Sequence, residues 1–359
     1  MPVVRRSFLE RSSFVLTIFC HFCSWLFCKH EIEAFSISSN IDTKNIKAAV
    51  IVPGFLTGAD EFQPLIDSLK QEGIPAVAVP FPNWHWIPCL GGRSVRPILD
   101  RIDYTVKYVC ANHDNLETNP TISIPKGSLE YNFLDCFLDF LDNPGGVGEV
   151  GGSAKVDEYP KNISPRGNFV KNIPLLEEKA KGKGGKIALI GHSAGGWISR
   201  IYLSNRDYGG KVYGGAEFIH SLVTLGSPHG KYVGGSAAFE SVNWIYEEDV
   251  PVRSLAVAGK GFVGEEAGQF TVNAYAFCGE PNPTKVDGDG VTPVNSALDM
   301  KGSTHLLLDG TVTHFPWSDI WGGSFFAPDL AKQHEEQRTP WYGTNHIVTQ
   351  WASWLFPDD

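Results

Sequence analysis

Basic residues are scarce. Thirty Lys and Arg stand against 40 Asp and Glu in 359 residues, a formal net charge of −10. That balance leaves no electrostatic footprint for a phosphate backbone, so no nucleic-acid partner is expected. None of the seven cysteines falls in a C-x-x-C…C-x-x-C pattern, which excludes a zinc site of that kind, and no metal is expected. Cys20, Cys23 and Cys28 sit near the start. Cys89, Cys110, Cys136 and Cys278 are too scattered to form a disulfide scaffold. There is no repeat at solenoid or propeller spacing. No G-x-G-x-x-G opens a helix and no G-x-x-x-x-G-K-[ST] occurs, so neither a nucleotide cofactor nor any other cofactor is expected.

The first thirty residues differ from the rest. Arg5, Arg6 and Arg11 precede a mostly apolar run from Ser12 to Cys28. A cationic start and a short apolar core predict a signal peptide or a marginal membrane anchor over 1–34. The polar, Ser-rich stretch 35–46 reads as a transit segment or linker. Ala34-Phe35 resembles the cleavage junction of two-part plastid targeting sequences, which implies a plastid address. Secretion or retention in the endomembrane system is the alternative.

From 47 onward, short apolar runs alternate with helical patterns. Ala48–Val52 suits a strand buried on both faces, ended by Pro53 and Gly54. Phe62, Leu65, Ile66 and Leu69 then recur at helical spacing, with Gly73 placed for a cap, before a second strand in "IPAVAVPF". This β–α–β unit predicts a mostly parallel central sheet with helices on both faces. "SVRPILDRIDYTVKYV" predicts another helix. The stretch 111–185 reads as an irregular, cap-like insertion with one short helix near Phe133–Leu141. Lys186–Ile190, "FIHSLVTLG", "FTVNAYAF" and "THLLLDG" read as further strands, Ser227–Gln269 as irregular, and "NHIVTQWASWLF" as a final helix.

"GHSAG" at Gly191–Gly195 matches G-x-S-x-G in a strand–turn–helix context. A serine in that turn projects its hydroxyl, and the glycines permit close backbone approach. The helix N-terminus supplies positive potential for a developing oxyanion. A serine nucleophile needs a base and an acid to orient the base. Asp289 in "KVDGDGVTPVNSA" is the expected acid, with Asp287 the alternative. His314 is the expected base, because His305 begins a predicted strand. Two backbone donors would hold the oxyanion: the N–H of Ala194 and that of Phe55, with Leu56 as the alternative to Phe55. Leu56, His192, Trp84, Trp86 and Phe315 are candidates for lining an apolar pocket.

Together "VIVPGFLTG", "GHSAGG", "LVTLGSPHG" and "DGDGVTPV" resemble segments of the α/β-hydrolase superfamily, and within it of lipases. "LLLDGTVTHFPW" and "WYGTNHIVTQWASWL" look like segments of plastid and cyanobacterial members. The likeness covers Lys47–Phe356 except Cys110–Gly185. It implies an α/β-hydrolase domain over 47–359 with Ser193 as nucleophile, Asp289 as acid, His314 as base, and Phe55 and Ala194 at the oxyanion. The expected activity is hydrolysis of carboxylic esters with apolar acyl groups, at a membrane surface or in solution. The alternatives are an acyltransferase or thioesterase using the same residues, or a non-catalytic binding protein of the same fold.

Overall fold

The computed structural model describes residues 48–112, 133–142, 171–183, 186–231, 240–316 and 338–356, with 122, 124 and 332 singly. The predicted leader and transit segment lie outside these residues, as does most of the predicted insertion. Among the described residues no helix is long and apolar enough to cross a membrane.

Six parallel strands form one sheet. In chain order they are β1 (Ala49–Val52), β2 (Ala76–Ala78), β3 (Ile187–His192), β4 (Ile219–Leu225), β5 (Arg253–Ala258) and β6 (Thr304–Leu307). Their spatial order is β2-β1-β3-β4-β5-β6. Ala49 pairs with Ala76 on one side and with Ala188 on the other. The chain thus leaves β1 in one direction and later resumes on β1's opposite edge. That reversal is a topological switch point, where α/β sheets hold ligands beyond the carboxyl ends of the strands. In its general topology the fold is α/β-hydrolase-like.

Alternation along the strands explains why both faces are covered. Val50, Val52, Ile187 and Leu189 feed one apolar cluster, while Ala49, Ile51, Ala188 and Ile190 feed another. Helix α1 (Gln63–Gln71) packs Leu65 and Leu69 into the second cluster, α2 (Arg96–Asn112) packs Ile98, Leu99, Ile102 and Val106 into the first. Each such buried Leu or Ile contributes roughly 1.5–3 kcal/mol. Gly73 does act as a cap. At φ +78° it ends α1, with Gly73 N–H on the Lys70 carbonyl (3.1 Å) and Ile74 N–H on the Leu69 carbonyl (2.9 Å).

Around 133–183 the chain forms α3 (Phe133–Asp142), as expected, and α4 (Ile173–Lys183), which was not. Only Ile173 and Ala180 of α4 are buried, so it shows almost no apolar period. Charge holds it instead: Glu177 bridges Lys107 of α2 and Lys181 one turn on, both at 2.8 Å. After β3 comes α5 (Ala194–Leu203), which is buried throughout.

Two expectations between β4 and β6 are corrected. The stretch read as irregular after Ser227 contains α6 (Glu240–Tyr246), β5 and α7 (Gly264–Ala267). The run "SLAVA" of β5 is too short for its period to stand out, yet it is buried between β4 and β6. "FTVNAYAF", read as a strand, belongs to helix α8 (Gln269–Phe277). Its aromatic and β-branched composition suggested a strand, but Thr271 and Tyr275, four apart, are its two buried residues. Helices α9 (Val294–Leu298) and α10 (Asn345–Trp351) complete the described set. A 3₁₀ turn over Ala352–Leu355 extends α10, burying Leu355 and leaving Trp354 half-buried.

Candidate functional site

Two loops meet at the switch point. The first leaves β1. Thr57 N–H bonds the Gly54 carbonyl at 3.1 Å and the Thr57 hydroxyl bonds it at 2.7 Å, closing a turn over Phe55 and Leu56. Leu56 has φ +58°, the third-position geometry that normally takes Gly or Asn, so the turn is strained. Trp86 buttresses it by donating its indole N–H to the Thr57 carbonyl at 3.0 Å. The Phe55 ring, 40% exposed, stands edge-on to Trp86 with centroids 5.5 Å apart.

The second loop is the turn from β3 into α5. Ser193, half-buried, has φ +52° and ψ −127°, a conformation costly for any residue with a Cβ. Several contacts hold it there. Its N–H donates to the Leu225 carbonyl at 2.9 Å, and the Ser227 hydroxyl donates to its carbonyl. The neighbouring glycines leave no space for side chains. A Cβ on Gly54 would lie 2.7 Å from the Ser193 Cβ, and one on Gly195 would overlap the Val52 carbonyl. One on Gly191 would overlap the backbone of Gly196. The β1 loop is therefore pressed directly against Ser193. Ala194 opens α5, so its N–H has no acceptor within the helix.

Asp289 and His314 come together next to His192. The His314 Nδ1–H donates to Asp289 Oδ2 at 2.7 Å, and the His314 backbone N–H donates to the Asp289 carbonyl at 2.9 Å. Both residues are buried. The carboxylate takes three more donors: Val291 N–H (2.9 Å) and Thr292 N–H (2.7 Å) at Oδ1, and the Tyr342 hydroxyl (2.8 Å) at Oδ2. Four donors fix its plane. Asp287 does something else: it accepts the N–H groups of Gly261 (2.7 Å), Phe262 (3.0 Å) and its neighbour Gly288 (2.8 Å), pinning its own loop.

His192 links the serine turn to the histidine. Its Nε2–H donates to the His314 carbonyl at 2.9 Å, and the two rings lie 4.7 Å apart. Burial first, and the nearby His314 second, hold the His192 imidazole well below its ordinary range, so it is neutral. Among the described residues the Ser193 hydroxyl has no hydrogen-bond partner and makes none with His314.

The other predicted residues divide. Trp86 is fully buried and braces the β1 loop from behind, whereas Leu56 and Trp84 are half-buried. Phe315 packs with Phe262 and Ala267 in a small separate cluster beside His314. An open groove of about 510 Å³ lies elsewhere, between Gly230, Lys231, Tyr246, Glu280 and Asp299. Ser227 and Tyr342 were missed by sequence reasoning. A hydroxyl that only braces a neighbour has no spacing rule, although both lie in segments that carry the family resemblance. Among the described residues no group of three or more His, Cys, Asp or Glu could hold a metal ion.

No protein-family model matches the chain, and no curated protein matches it. The likeness rests on the architecture: a parallel sheet flanked by helices, α/β-hydrolase-like in general form.

Proposed function

We propose that the chain is a serine hydrolase that cleaves carboxylic esters with apolar acyl groups through an acyl-enzyme on Ser193. One observation carries the reading. A strained serine stands at the carboxyl end of β3, at the switch point, and its neighbour His192 bonds the backbone of a histidine that is itself bonded to a buried carboxylate. On this reading the β3–α5 turn is a nucleophile elbow. Ser193 Oγ attacks the ester carbonyl as His314 Nε2 takes its proton. The oxyanion lies against the N–H groups of Phe55 and Ala194, and losing one such donor costs about 3 kcal/mol in the transition state. His314 then protonates the departing alcohol, and later takes a proton from the water that releases the acid. Asp289 keeps the proton on Nδ1 and stabilises the imidazolium.

Exposed apolar side chains support an apolar substrate. Phe55 stands open beside Ser193, and α3 exposes Leu134, Phe137 and Leu141, the last at 61%. Such a stripe suits contact with lipid or a micelle.

The test compares wild type with Ser193→Ala on p-nitrophenyl esters from acetyl to palmitoyl, with and without micelles. The expected result is long-chain turnover that rises with micelles and vanishes in the variant. A wild type that hydrolyses none of them and resists a fluorophosphonate probe would refute the proposal. Products formed with an added alcohol separate hydrolysis from acyl transfer.

A further inference from the structure

Tyr342 lies 53 residues beyond Asp289, yet its hydroxyl reaches Asp289 Oδ2 at 2.8 Å, the same oxygen that accepts His314 Nδ1–H. The direction of this bond is fixed. Gly259 N–H donates into the phenol oxygen at 2.7 Å, so the single phenolic proton points at the carboxylate. Burial, and then the negative charge of Asp289, hold the phenol well above its usual range, so it keeps that proton.

The space for this contact is kept open by two glycines, at the carboxyl ends of β4 and β5. A Cβ on Gly226, which has φ +55°, would overlap Asp289 Oδ2 and lie 2.7 Å from the Tyr342 hydroxyl. One on Gly259 would sit 3.0 Å from that hydroxyl and 3.1 Å from the Asp289 Cβ. The tyrosine backbone is tethered as well. Trp351 donates its indole N–H to the Tyr342 carbonyl at 3.2 Å, and Ser68 donates its hydroxyl to the Gly343 carbonyl at 2.8 Å. Strands, glycines and the C-terminal helix converge on one phenol.

We infer that Tyr342 is a positioning residue for the Asp289–His314 pair, setting the plane of the carboxylate and sharing its charge with the imidazole. The inference rests on the proposed catalytic role of that pair. The phenol occupies one lone pair of Oδ2 and withdraws charge from it. The carboxylate therefore cannot rotate away from His314, and its bond to Nδ1–H is weakened slightly.

The test uses the full chain and Tyr342→Phe, which removes only the hydroxyl. Two readouts are taken. The first is the downfield proton resonance of His314 Nδ1–H, which needs no turnover. It should move further downfield in the variant as the remaining bond shortens, and an unmoved resonance overturns the inference. The second is ester hydrolysis, where kcat should fall roughly tenfold with KM unchanged, the effect of one lost charge-assisted bond. An unchanged kcat in an active enzyme overturns it too. A double-mutant cycle with Asp289→Asn separates positioning from bulk structure. If Tyr342 acts through Asp289, Tyr342→Phe adds nothing in the Asp289→Asn background; additive losses overturn the inference. If the wild type is inert towards esters and resists a fluorophosphonate probe, the hydrolase reading fails, while the resonance shift still decides the role of Tyr342.

Discussion

Replacing Asp289 with asparagine keeps the shape of the side chain and changes only what it can accept. Four donors converge on this carboxylate, two on each oxygen. An amide has one oxygen and one NH₂, so in either orientation the NH₂ must face two donors. Facing Val291 and Thr292 it opposes two backbone N–H groups that cannot turn away. Facing His314 and Tyr342 it can be accommodated if the imidazole changes tautomer and moves its proton to Nε2, and the Tyr342 hydroxyl turns its own proton aside. That second arrangement is the cheaper one, and it is fatal to the proposed chemistry, because Nε2 can then no longer accept the serine proton. The expected loss in kcat is about 10⁴-fold, as for an orienting acid removed without distortion. Stability should also fall, by roughly 3 kcal/mol, since charge-assisted bonds of about 1.5–3 kcal/mol each are replaced by weaker ones. The assay is ester hydrolysis at pH 8 alongside urea unfolding, with Asp287→Asn as comparator. Among the described residues the Asp287 side chain accepts backbone N–H groups of its own loop and of Gly261 and Phe262, so its substitution should leave kcat within a few-fold. Turnover by Asp289→Asn within tenfold of wild type would refute the assignment of the acid.

Three further predictions follow from burial and packing. His85, His192 and His229 are held well below their ordinary range by burial, and His220 is lowered to about 4 by burial. Below about pH 6.5 the unfolded chain takes up protons that these folded residues refuse, so stability should fall with pH by up to about 1.4 kcal/mol per unit for each histidine. Urea midpoints at pH 7, 6 and 5 test this, and a flat profile would contradict it. Trp86→Phe strips the Thr57 carbonyl of its donor; it should destabilise by about 2 kcal/mol in urea and slow ester turnover by loosening the turn beside Ser193. Gly195→Ala drives a Cβ into the Val52 carbonyl and should cost about 3 kcal/mol or prevent folding, whereas Gly182→Ala, with nothing within 4 Å, should gain roughly 0.5 kcal/mol. Thermal melting distinguishes the two, and equal effects would show that the close approach at Gly195 is not needed.

What could be read from the chain was what local pattern dictates. Val50 and Leu189 belong to runs apolar on both faces, and such runs have no other stable place than a covered parallel strand. The GHSAG segment was legible because a turn of that sharpness needs glycine at fixed offsets. Elements whose reasons are not local were missed. Helix α4 is held by Glu177 reaching Lys107, and α8 by Tyr275, whose hydroxyl bonds the Phe262 carbonyl at 2.7 Å. The same holds at the site. Asp287 and Asp289 share one loop and one place in the chain order, so the sequence left both open as the acid, while the contacts that distinguish them come from Gly261, His314 and Tyr342.

The pairing of Ala49 with Ala188 joins segments far apart in the chain, and we expect it to form late in folding. Helices such as α2 can form from neighbours in the chain, but the β1 loop meets the Ser193 turn only after a long, entropically costly loop has closed. Leu56 and Ser193, both held at positive φ, have no reason to adopt those angles before that closure. The strain is therefore expected to enter last, once the sheet has assembled. A refolding chain should therefore regain its helical signal well before it regains a serine that a fluorophosphonate can label, and removing β1 should abolish labelling altogether.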